Sequence, residues 1–214
     1  MTYRIVVLIS GNGSNLQAII DTIKENQWPI KIVAVISDQP NAHGLERARN
    51  VDIPTTVLTK AEYPARAEYD QQLQHILDSH KPNLVVLAGF MRILTPEFVE
   101  HYHGRLINIH PSLLPDYKGL NTHQRVIDKN EKYHGVSVHF VTKELDGGPI
   151  IAQMKLQIDK QDDAKSLQER IHQLEYKLYP TIIHWFAEKR LKLTKSGVEF
   201  QGSLLGPRGL DLAT

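Results

Sequence analysis

The sequence predicts an α/β protein with a Rossmann-like, doubly wound mixed sheet that is mostly parallel. Three continuous apolar and β-branched runs, at 3–10, 30–37 and 83–88, are typical of strands covered on both faces. Segments with apolar residues at helical spacing lie between them, which favours parallel strands joined by helices. An alternating segment at 135–142 indicates that the C-terminal part is antiparallel.

Strands and helices alternate through the first half of the chain. The predicted strands lie at 3–10, 30–37, 55–58, 83–88 and 106–110, and the predicted helices at 16–26, 45–50, 64–80 and 96–102. In the second half, 149–158 is predicted to pair with 135–142 across a glycine-rich turn. A long helix follows at 163–189, and Pro180 is expected to kink it.

The domain organisation follows from the absence of repeats and linkers. We expect one domain over 1–200. The tail, 201–214, is punctuated by glycine and proline and is expected to be flexible.

Composition excludes several classes of function. The 25 basic and 24 acidic residues leave a formal net charge of +1, which gives no general attraction to nucleic acid or anionic membranes. Cysteine is absent, so disulfides and thiolate catalysis are excluded. The longest apolar run, 84–91, is too short to span a bilayer. We therefore expect a cytoplasmic protein without nucleic-acid or membrane partners.

The loop SGNGSN lies between the first strand and the first helix. Its small residues allow backbone N–H groups to approach an anion at a helix N-terminus, and Ser14 or Asn15 is expected to cap that helix. A dinucleotide fingerprint starting at Gly11 would need glycine where Leu16 stands. The loop therefore predicts phosphate binding without a nicotinamide or flavin, and its plain alternative is a tight turn.

The stretch LINIHPSLLP places Asn108 and His110 on one face of a buried strand that ends at Pro111. An amide N–H and an imidazolium N–H aimed at one point would stabilise an oxyanion, as acyl transfer requires. The alternative is a capped strand end, with both side chains bonded to backbone. Asp146, in ELDGGPII, is the best carboxylate partner, because the two glycines after it allow a tight loop. Without a nucleophile elbow, direct transfer is expected.

Four motifs, GNGSN, AGFMRIL, INIHPSLLP and LDGGPI, together resemble the phosphoribosylglycinamide formyltransferases, folate-dependent enzymes of purine synthesis. The resemblance runs from the first strand to about Trp185. It implies the formyltransferase fold, with the ribonucleotide phosphate site in the N-terminal half of the domain and the folate site in its C-terminal half. It also implies transfer of a formyl group from the co-substrate 10-formyltetrahydrofolate to the amine of glycinamide ribonucleotide, without a metal.

The resemblance also assigns site residues. It implies that the catalytic residues are Asn108, His110 and Asp146 and that the ribonucleotide contacts are Gly13, Ser14, Asn15 and Glu175. The implied folate contacts are Arg66, Met91, Arg92, Ile93, Leu94, Asn108, Val141, Thr142, Lys143, Glu144 and Leu145. Relatives commonly have histidine where this chain has Tyr176. The plain alternatives are solvated helix faces for Arg66 and Glu175 and core positions for Met91 and Ile93.

Other functions stay open on the sequence. Formyltetrahydrofolate hydrolase shares the NxHPSLLP core but usually has an extra N-terminal domain, and here the first strand starts at Tyr3. Methionyl-tRNA formyltransferase usually adds a C-terminal domain. A nucleotide-binding Rossmann module could use Asp38 for a ribose, but Leu16 argues against it. A metal hydrolase is disfavoured because neither HExxH nor a cysteine cluster is present. A homodimer is compatible with the sequence.

Overall fold

The computed structural model describes residues 2–212. The chain divides into two compact units, Met1–Ile107 and Asn108–Thr214. Among the helices of the described residues, none is both long enough and apolar enough to cross a membrane.

The first unit is built on a parallel sheet. Its strands are β1 (Tyr3–Ile9), β2 (Ile30–Ser37), β3 (Thr55–Val57) and β4 (Leu84–Leu87). They lie in the order β4-β1-β2-β3, and every pair is parallel. Ile5 to Ile9 are fully buried, so the apolar run at the N-terminus does form a strand covered on both faces.

Three helices connect these strands, and a fourth follows β4. They are α1 (Ser14–Glu25), α2 (His43–Arg49), α3 (Arg66–His80) and α4 (Pro96–His101). The expectation that Ser14 or Asn15 caps α1 is wrong. The N-cap is Gly13, which has a φ of 72° and makes no side-chain cap bond. A left-handed residue turns the chain into α1, and glycine adopts that conformation without a Cβ penalty.

The second unit begins within a strand. Its elements are β5 (Leu106–His110), α5 (Thr122–Asp128), β6 (Tyr133–Phe140), β7 (Ile150–Gln157), α6 (Ala164–Ala187), β8 (Leu191–Thr194), β9 (Gly197–Phe200), β10 (Ser203–Leu204) and β11 (Leu210–Asp211). Strands β6 and β7 are antiparallel, and β11 joins β7 in parallel. The mostly parallel strands with this antiparallel pair confirm the predicted mixed α/β class.

Helix α6 matches the predicted long helix. Asp163 caps it, because its Oδ1 accepts the Ser166 N–H at 2.7 Å and Ser166 Oγ accepts the Asp163 N–H at 3.0 Å. Pro180 lies inside the helix and is buried. The kink expected at Pro180 stays a prediction.

Several short elements were not predicted. Helix α5 and the antiparallel sheet β8-β9-β10 have too little apolar periodicity to be recognised. Segment 201–214, expected to be flexible, contributes β10 and β11 within its described part, and its last two residues lie outside the described residues. The flexibility of this segment and the single domain over 1–200 stay predictions.

Candidate active site

Strand β5 carries two polar side chains on one face. Asn108 is half-buried and His110 is buried, and Pro111 follows directly. Alternate residues of a strand point to the same side, so both side chains leave β5 together. An amide and an imidazole can be buried at low cost only if each finds a hydrogen-bond partner.

Both ring nitrogens of His110 have partners. Nε2 lies 2.9 Å from the carbonyl oxygen of Tyr117, and a carbonyl only accepts, so Nε2 carries a proton. Nδ1 lies 3.5 Å from Oδ2 of Asp146, and only 8 % and 9 % of the two side chains are exposed. A proton on Nδ1 would turn this contact into a buried ion pair.

The turn that holds Asp146 depends on its local backbone. Asp146 itself has a φ of 46°, in the left-handed region that aspartate tolerates better than most residues. A Cβ at Gly148 would collide with the carbonyl oxygen of Phe140, so that position requires glycine. The Oδ2 atom of Asp146 also accepts the backbone N–H of Gly119 at 3.0 Å. The carboxylate is therefore anchored on two sides.

His139 is a further member of this cluster that the sequence reasoning missed. It lies on β6 with 2 % of its surface exposed, and its Nδ1 donates to the carbonyl oxygen of Phe140 at 2.9 Å. Burial lowers the pKa of His139, so the ring is neutral near pH 7 and its Nε2 is unprotonated.

The tautomer of His139 orients Asn108. The lone pair of His139 Nε2 accepts from Asn108 Nδ2 at 3.2 Å, which leaves the second amide hydrogen for another acceptor. The 3.7 Å approach of His139 Nε2 to Asp146 Oδ1 joins two unprotonated atoms and is not an ion pair. Ser137 and His139 are polar at alternate positions of a buried strand, the same signal that identified Asn108 and His110.

The chain after β5 is fastened by a buried network. Ser137 Oγ donates to the carbonyl oxygen of Ser112 at 2.6 Å and accepts the Leu114 N–H at 3.0 Å. Gln153 Nε2 donates to Ser137 Oγ at 2.7 Å and to the Leu114 carbonyl oxygen at 2.9 Å. These bonds hold the PSLLP segment against β6 and β7, and they therefore fix the path of the backbone after His110.

Segment 117–119 spans the His110–Asp146 pair. The carbonyl oxygen of Tyr117 accepts from His110, and the backbone N–H of Gly119 donates to Asp146. Between these two residues, Lys118 Nζ lies 3.2 Å from Oε1 of Glu144. Glu144 belongs to the predicted folate loop, 141–145, in which Val141 and Thr142 are half-buried and the next three residues are exposed. Segment 117–119 thus connects that loop to the buried pair.

In the first unit, the glycine loop is braced by α2. Arg47 Nε donates to the carbonyl oxygen of Asn12 at 2.9 Å, and its Nη2 donates to Asn12 Oδ1 at 3.1 Å. A Cβ on Gly13 would lie 2.5 Å from Gly44 Cα. A cavity of about 440 Å³ opens at this loop, and it is lined by Ser10, Gly11, Asn12, Gln39, Asn41, Ala42 and His43. The polar lining suits a phosphorylated or hydroxylated ligand.

The MRIL segment is also in the first unit. Arg66 donates to the carbonyl oxygen of Leu94, which brings these two predicted folate residues together. Arg92 places its guanidinium 3.6 Å from the centroid of the Tyr69 ring. Met91 and Ile93 are 67 % and 61 % exposed, so the alternative that they are core residues is wrong. Exposed apolar side chains beside two arginines suit an amphipathic anion.

Comparison with known proteins identifies the family. The family model described as formyl transferase matches residues 3–183. This chain belongs to the formyl transferase family. The phosphoribosylglycinamide formyltransferase of Escherichia coli (strain K12) is 50 % identical over 205 residues, which cover 96 % of this chain and 97 % of that protein. That similarity confirms the resemblance drawn from the motifs.

Solved structures and a longer relative support the same family. The phosphoribosylglycinamide formyltransferase of Coxiella burnetii, solved in complex with CHES, superposes with a TM-score of 0.96 at 49 % identity and covers 99 % of this chain and 100 % of its own. The human trifunctional purine biosynthetic protein adenosine-3 is 39 % identical over 194 residues, which are 91 % of this chain and 19 % of that protein.

Helix α6 carries the last site residue implied by the formyl transferase resemblance. Glu175 is 5 % exposed, so the alternative of a solvated helix face is wrong. Tyr176, which departs from the common histidine, stacks on His172 with ring centroids 5.9 Å apart. A tyrosine here therefore packs along α6 against the residue one turn earlier.

The structure divides the predicted site residues of this formyl transferase between the two units. Asn108, His110 and Asp146 converge in the second unit, with His139 added to them. The glycine loop, Arg66 and the MRIL segment lie in the first unit. Among residues 2–212, no three histidine, cysteine or carboxylate side chains are grouped as metal ligands.

Proposed function

We propose that this formyl transferase moves the formyl group of 10-formyltetrahydrofolate to the amine of 5′-phosphoribosylglycinamide, giving formylglycinamide ribonucleotide and tetrahydrofolate. The observation that carries the proposal is the convergence of the half-buried Asn108 with the buried His110 and its carboxylate partner Asp146. These two donors and one carboxylate suit a reaction in which negative charge develops on a carbonyl oxygen. The similarity to named phosphoribosylglycinamide formyltransferases supports the choice of substrates.

The oxyanion would be held by the two donors of β5. Asn108 has a second amide hydrogen beyond the one given to His139. The Nε2–H of His110, which Tyr117 now accepts, is the second donor, and the formyl oxygen would replace that carbonyl oxygen. Asp146 faces Nδ1 and would stabilise the imidazolium that donates best to an oxyanion.

The reaction is balanced by one proton transfer. The neutral amine nitrogen attacks the formyl carbon and forms the new C–N bond, and the adduct then carries a positive nitrogen and a negative oxygen. Collapse of the oxyanion breaks the bond to the folate nitrogen. The amine proton moves to that leaving nitrogen through a bound water, so no acyl-enzyme is formed.

Binding roles for the remaining residues belong to the same proposal. The backbone of Gly13, Ser14 and Asn15 would hold the ribonucleotide phosphate, and Glu175 would contact the same substrate. Arg66, the MRIL segment and 141–145 would hold the folate. We also expect a cytoplasmic enzyme that needs no metal, nicotinamide or flavin, and a homodimer is compatible with it.

The deciding experiment separates transfer from hydrolysis. The protein is mixed with 10-formyltetrahydrofolate with and without glycinamide ribonucleotide, and formylated amine and free formate are both measured. We expect tetrahydrofolate to form in step with formylated ribonucleotide and only slowly without it. Equal deformylation without the amine would favour the formyltetrahydrofolate hydrolase alternative. The Asn108→Ala variant is the background control.

A further inference from the structure

The second unit contains a cavity that the proposed reaction does not use. It measures about 400 Å³, and four basic side chains line it: Arg125, Lys129, Lys132 and Arg208. The rest of the polar lining consists of two tyrosines, two carboxylates and one histidine: Tyr117, Tyr133, Asp116, Glu131 and His134. The cations come from α5, from the turn after it and from the segment before β11, so three parts of the chain contribute positive charge to one place.

These cations are not neutralised by neighbours. Within the described part of the chain, none of the four forms an ion pair, although seven other basic or histidine side chains do so with carboxylates less than 3.6 Å away. Arg125 donates to the carbonyl oxygens of Lys118 and Leu120, which carry no charge. Glu131 is engaged by the phenol of Tyr117, which donates to it. The cavity therefore keeps an excess of positive charge.

Tyr117 connects this cavity to the buried pair. Its ring lies 5.3 Å from both the Arg125 guanidinium and the Lys129 ammonium, measured to the ring centroid. Its carbonyl oxygen accepts the Nε2–H of His110. Tyr117 also has a φ of 57°, a strained conformation for a tyrosine that its neighbours must maintain. A ligand that moves the two cations would act on the residue that holds His110.

We propose that this cavity is a second anion site that takes a diphosphate group, as inorganic pyrophosphate or as part of a nucleotide, and that its occupancy reaches His110 through Tyr117. Guanidinium and ammonium groups together are the donors that phosphate oxygens prefer. The volume exceeds the needs of a single phosphate. Tyr133, 45 % exposed and beside Lys132, offers a ring against which a base can stack.

Nuclear magnetic resonance titration of the full chain tests the site. Inorganic pyrophosphate and ADP are added separately without metal, and the backbone amide shifts are mapped. We expect shifts at Tyr117, Lys129 and Lys132, and a loss of affinity of about tenfold in Lys129→Ala/Lys132→Ala. The matched control, Lys192→Ala/Lys195→Ala, makes the same charge change on the β8–β9 hairpin and should keep wild-type affinity. Tighter binding of ADP assigns the site to nucleotides, and equal binding assigns it to inorganic diphosphate.

Three outcomes would overturn the proposal. Shifts confined to the glycine loop would place the anion at the ribonucleotide site instead. An equal loss of affinity in the control pair would show only long-range attraction. Arg208→Ala should weaken binding as well. Because Arg208 lies on the segment before β11, this loss could not be explained by misfolding around α5.

A second measurement tests the link to His110. The Nε2–H resonance of His110 should move when the ligand saturates the wild type, but not in Lys129→Ala/Lys132→Ala. An unmoved resonance in a saturated wild type would remove the link through Tyr117.

Discussion

The amide of Asn108 donates to the unprotonated Nε2 of His139 across 3.2 Å. His139 can only accept there, because its single proton lies on Nδ1 and is donated to the Phe140 carbonyl oxygen. The imidazole therefore decides which way the amide faces. His139 is a positioning residue, and Asn108 is the group proposed to touch the reacting oxygen.

A double-mutant cycle tests that division of roles. Asn108→Ala should lower the turnover number roughly 10²–10³-fold, the usual cost of one oxyanion donor, and should change substrate binding much less. His139→Phe should lower it by about tenfold, since the amide loses its fixed orientation. In the Asn108→Ala background, His139→Phe should have little further effect. The measurement is kcat for all four proteins.

The same kcat values can contradict the orienting role of His139. If the two effects on kcat multiply, His139 acts independently of Asn108 and the orientation argument is wrong. His139→Gln supplies a side-chain acceptor at the same position and should restore part of the activity lost in His139→Phe. A purely structural role would give the two His139 variants the same kcat at equal stability.

A second prediction concerns the charge of Asp146. Asp146→Asn keeps the size of the side chain and most of its hydrogen bonding, including acceptance from Gly119, but removes the charge that faces His110. We expect kcat to fall about 10²–10⁴-fold, within the range of a lost acid–base partner. Asp128→Asn is the matched control, because it makes the same charge change at an exposed position of α5 outside the proposed site. A similar loss in both variants would show a general effect of removing a carboxylate and not the loss of the buried pair.

The sequence predicted those parts of the fold and the site that are encoded locally. The strands of the first unit appear as continuous apolar runs, and β5 shows its two polar residues at the spacing of one face. Asp146 was predicted from the two glycines after it, which allow a tight loop. The structure adds that position 148 requires glycine, because a Cβ there would meet the Phe140 carbonyl oxygen.

Other features could not be found this way because they exist only between distant residues. His110 donates to the backbone carbonyl oxygen of Tyr117. This contact depends on the path of the chain after β5, and any residue at position 117 would offer the same carbonyl group. His139 shows the same alternate polar pattern as Asn108, but it lies in an alternating segment, and such alternation is also typical of an ordinary antiparallel strand. The cap of α1 was misassigned because serine and asparagine are common caps, whereas here a left-handed glycine leads into the helix.

A third prediction concerns the glycine loop. Gly13→Val should weaken ribonucleotide binding more than folate binding, because a side chain blocks the approach of phosphate to the backbone. It should also lower Tm by about 4 °C or more, since φ is 72° and the new Cβ meets Gly44. Calorimetry with each ligand, at a temperature where the variant is folded, measures the first effect.

The control for the glycine loop is Gly44, the residue that a Cβ on Gly13 would meet. Gly44→Ala also crowds this junction, because its Cβ would lie 2.5 Å from Ile9 Cδ1 and 3.1 Å from Gly13 Cα. We expect it to lower Tm while retaining most of the ribonucleotide affinity. Equal losses of ribonucleotide affinity in the two variants would assign the effect to loop distortion and not to phosphate exclusion.

The last prediction concerns stability in mild acid. His123 Nδ1 and His134 Nε2 share a hydrogen bond at 3.0 Å. Burial lowers the pKa of His123 to about 4 and that of His134 to about 3, below the ordinary value near 6.5. Above pH 6.5 both rings are neutral in the folded and unfolded chains, so they add no pH dependence. Below pH 6.5 the two histidines become protonated in the unfolded chain but stay neutral in the folded chain. The free energy of unfolding therefore falls as the pH falls towards 4.

Urea unfolding at pH 7.5, 6.5 and 5.5 measures this loss before most carboxylates titrate. The buried His134 should contribute at most about 1.4 kcal/mol per pH unit to the slope. His134→Gln cannot take up a proton in either state, so its free energy of unfolding should depend less steeply on pH between 6.5 and 5.5. His75→Gln, at an exposed position of α3, should leave the slope unchanged. If the slope in His134→Gln equals that of the wild type, the acid sensitivity arises elsewhere, and burial of the His123–His134 pair is not its cause.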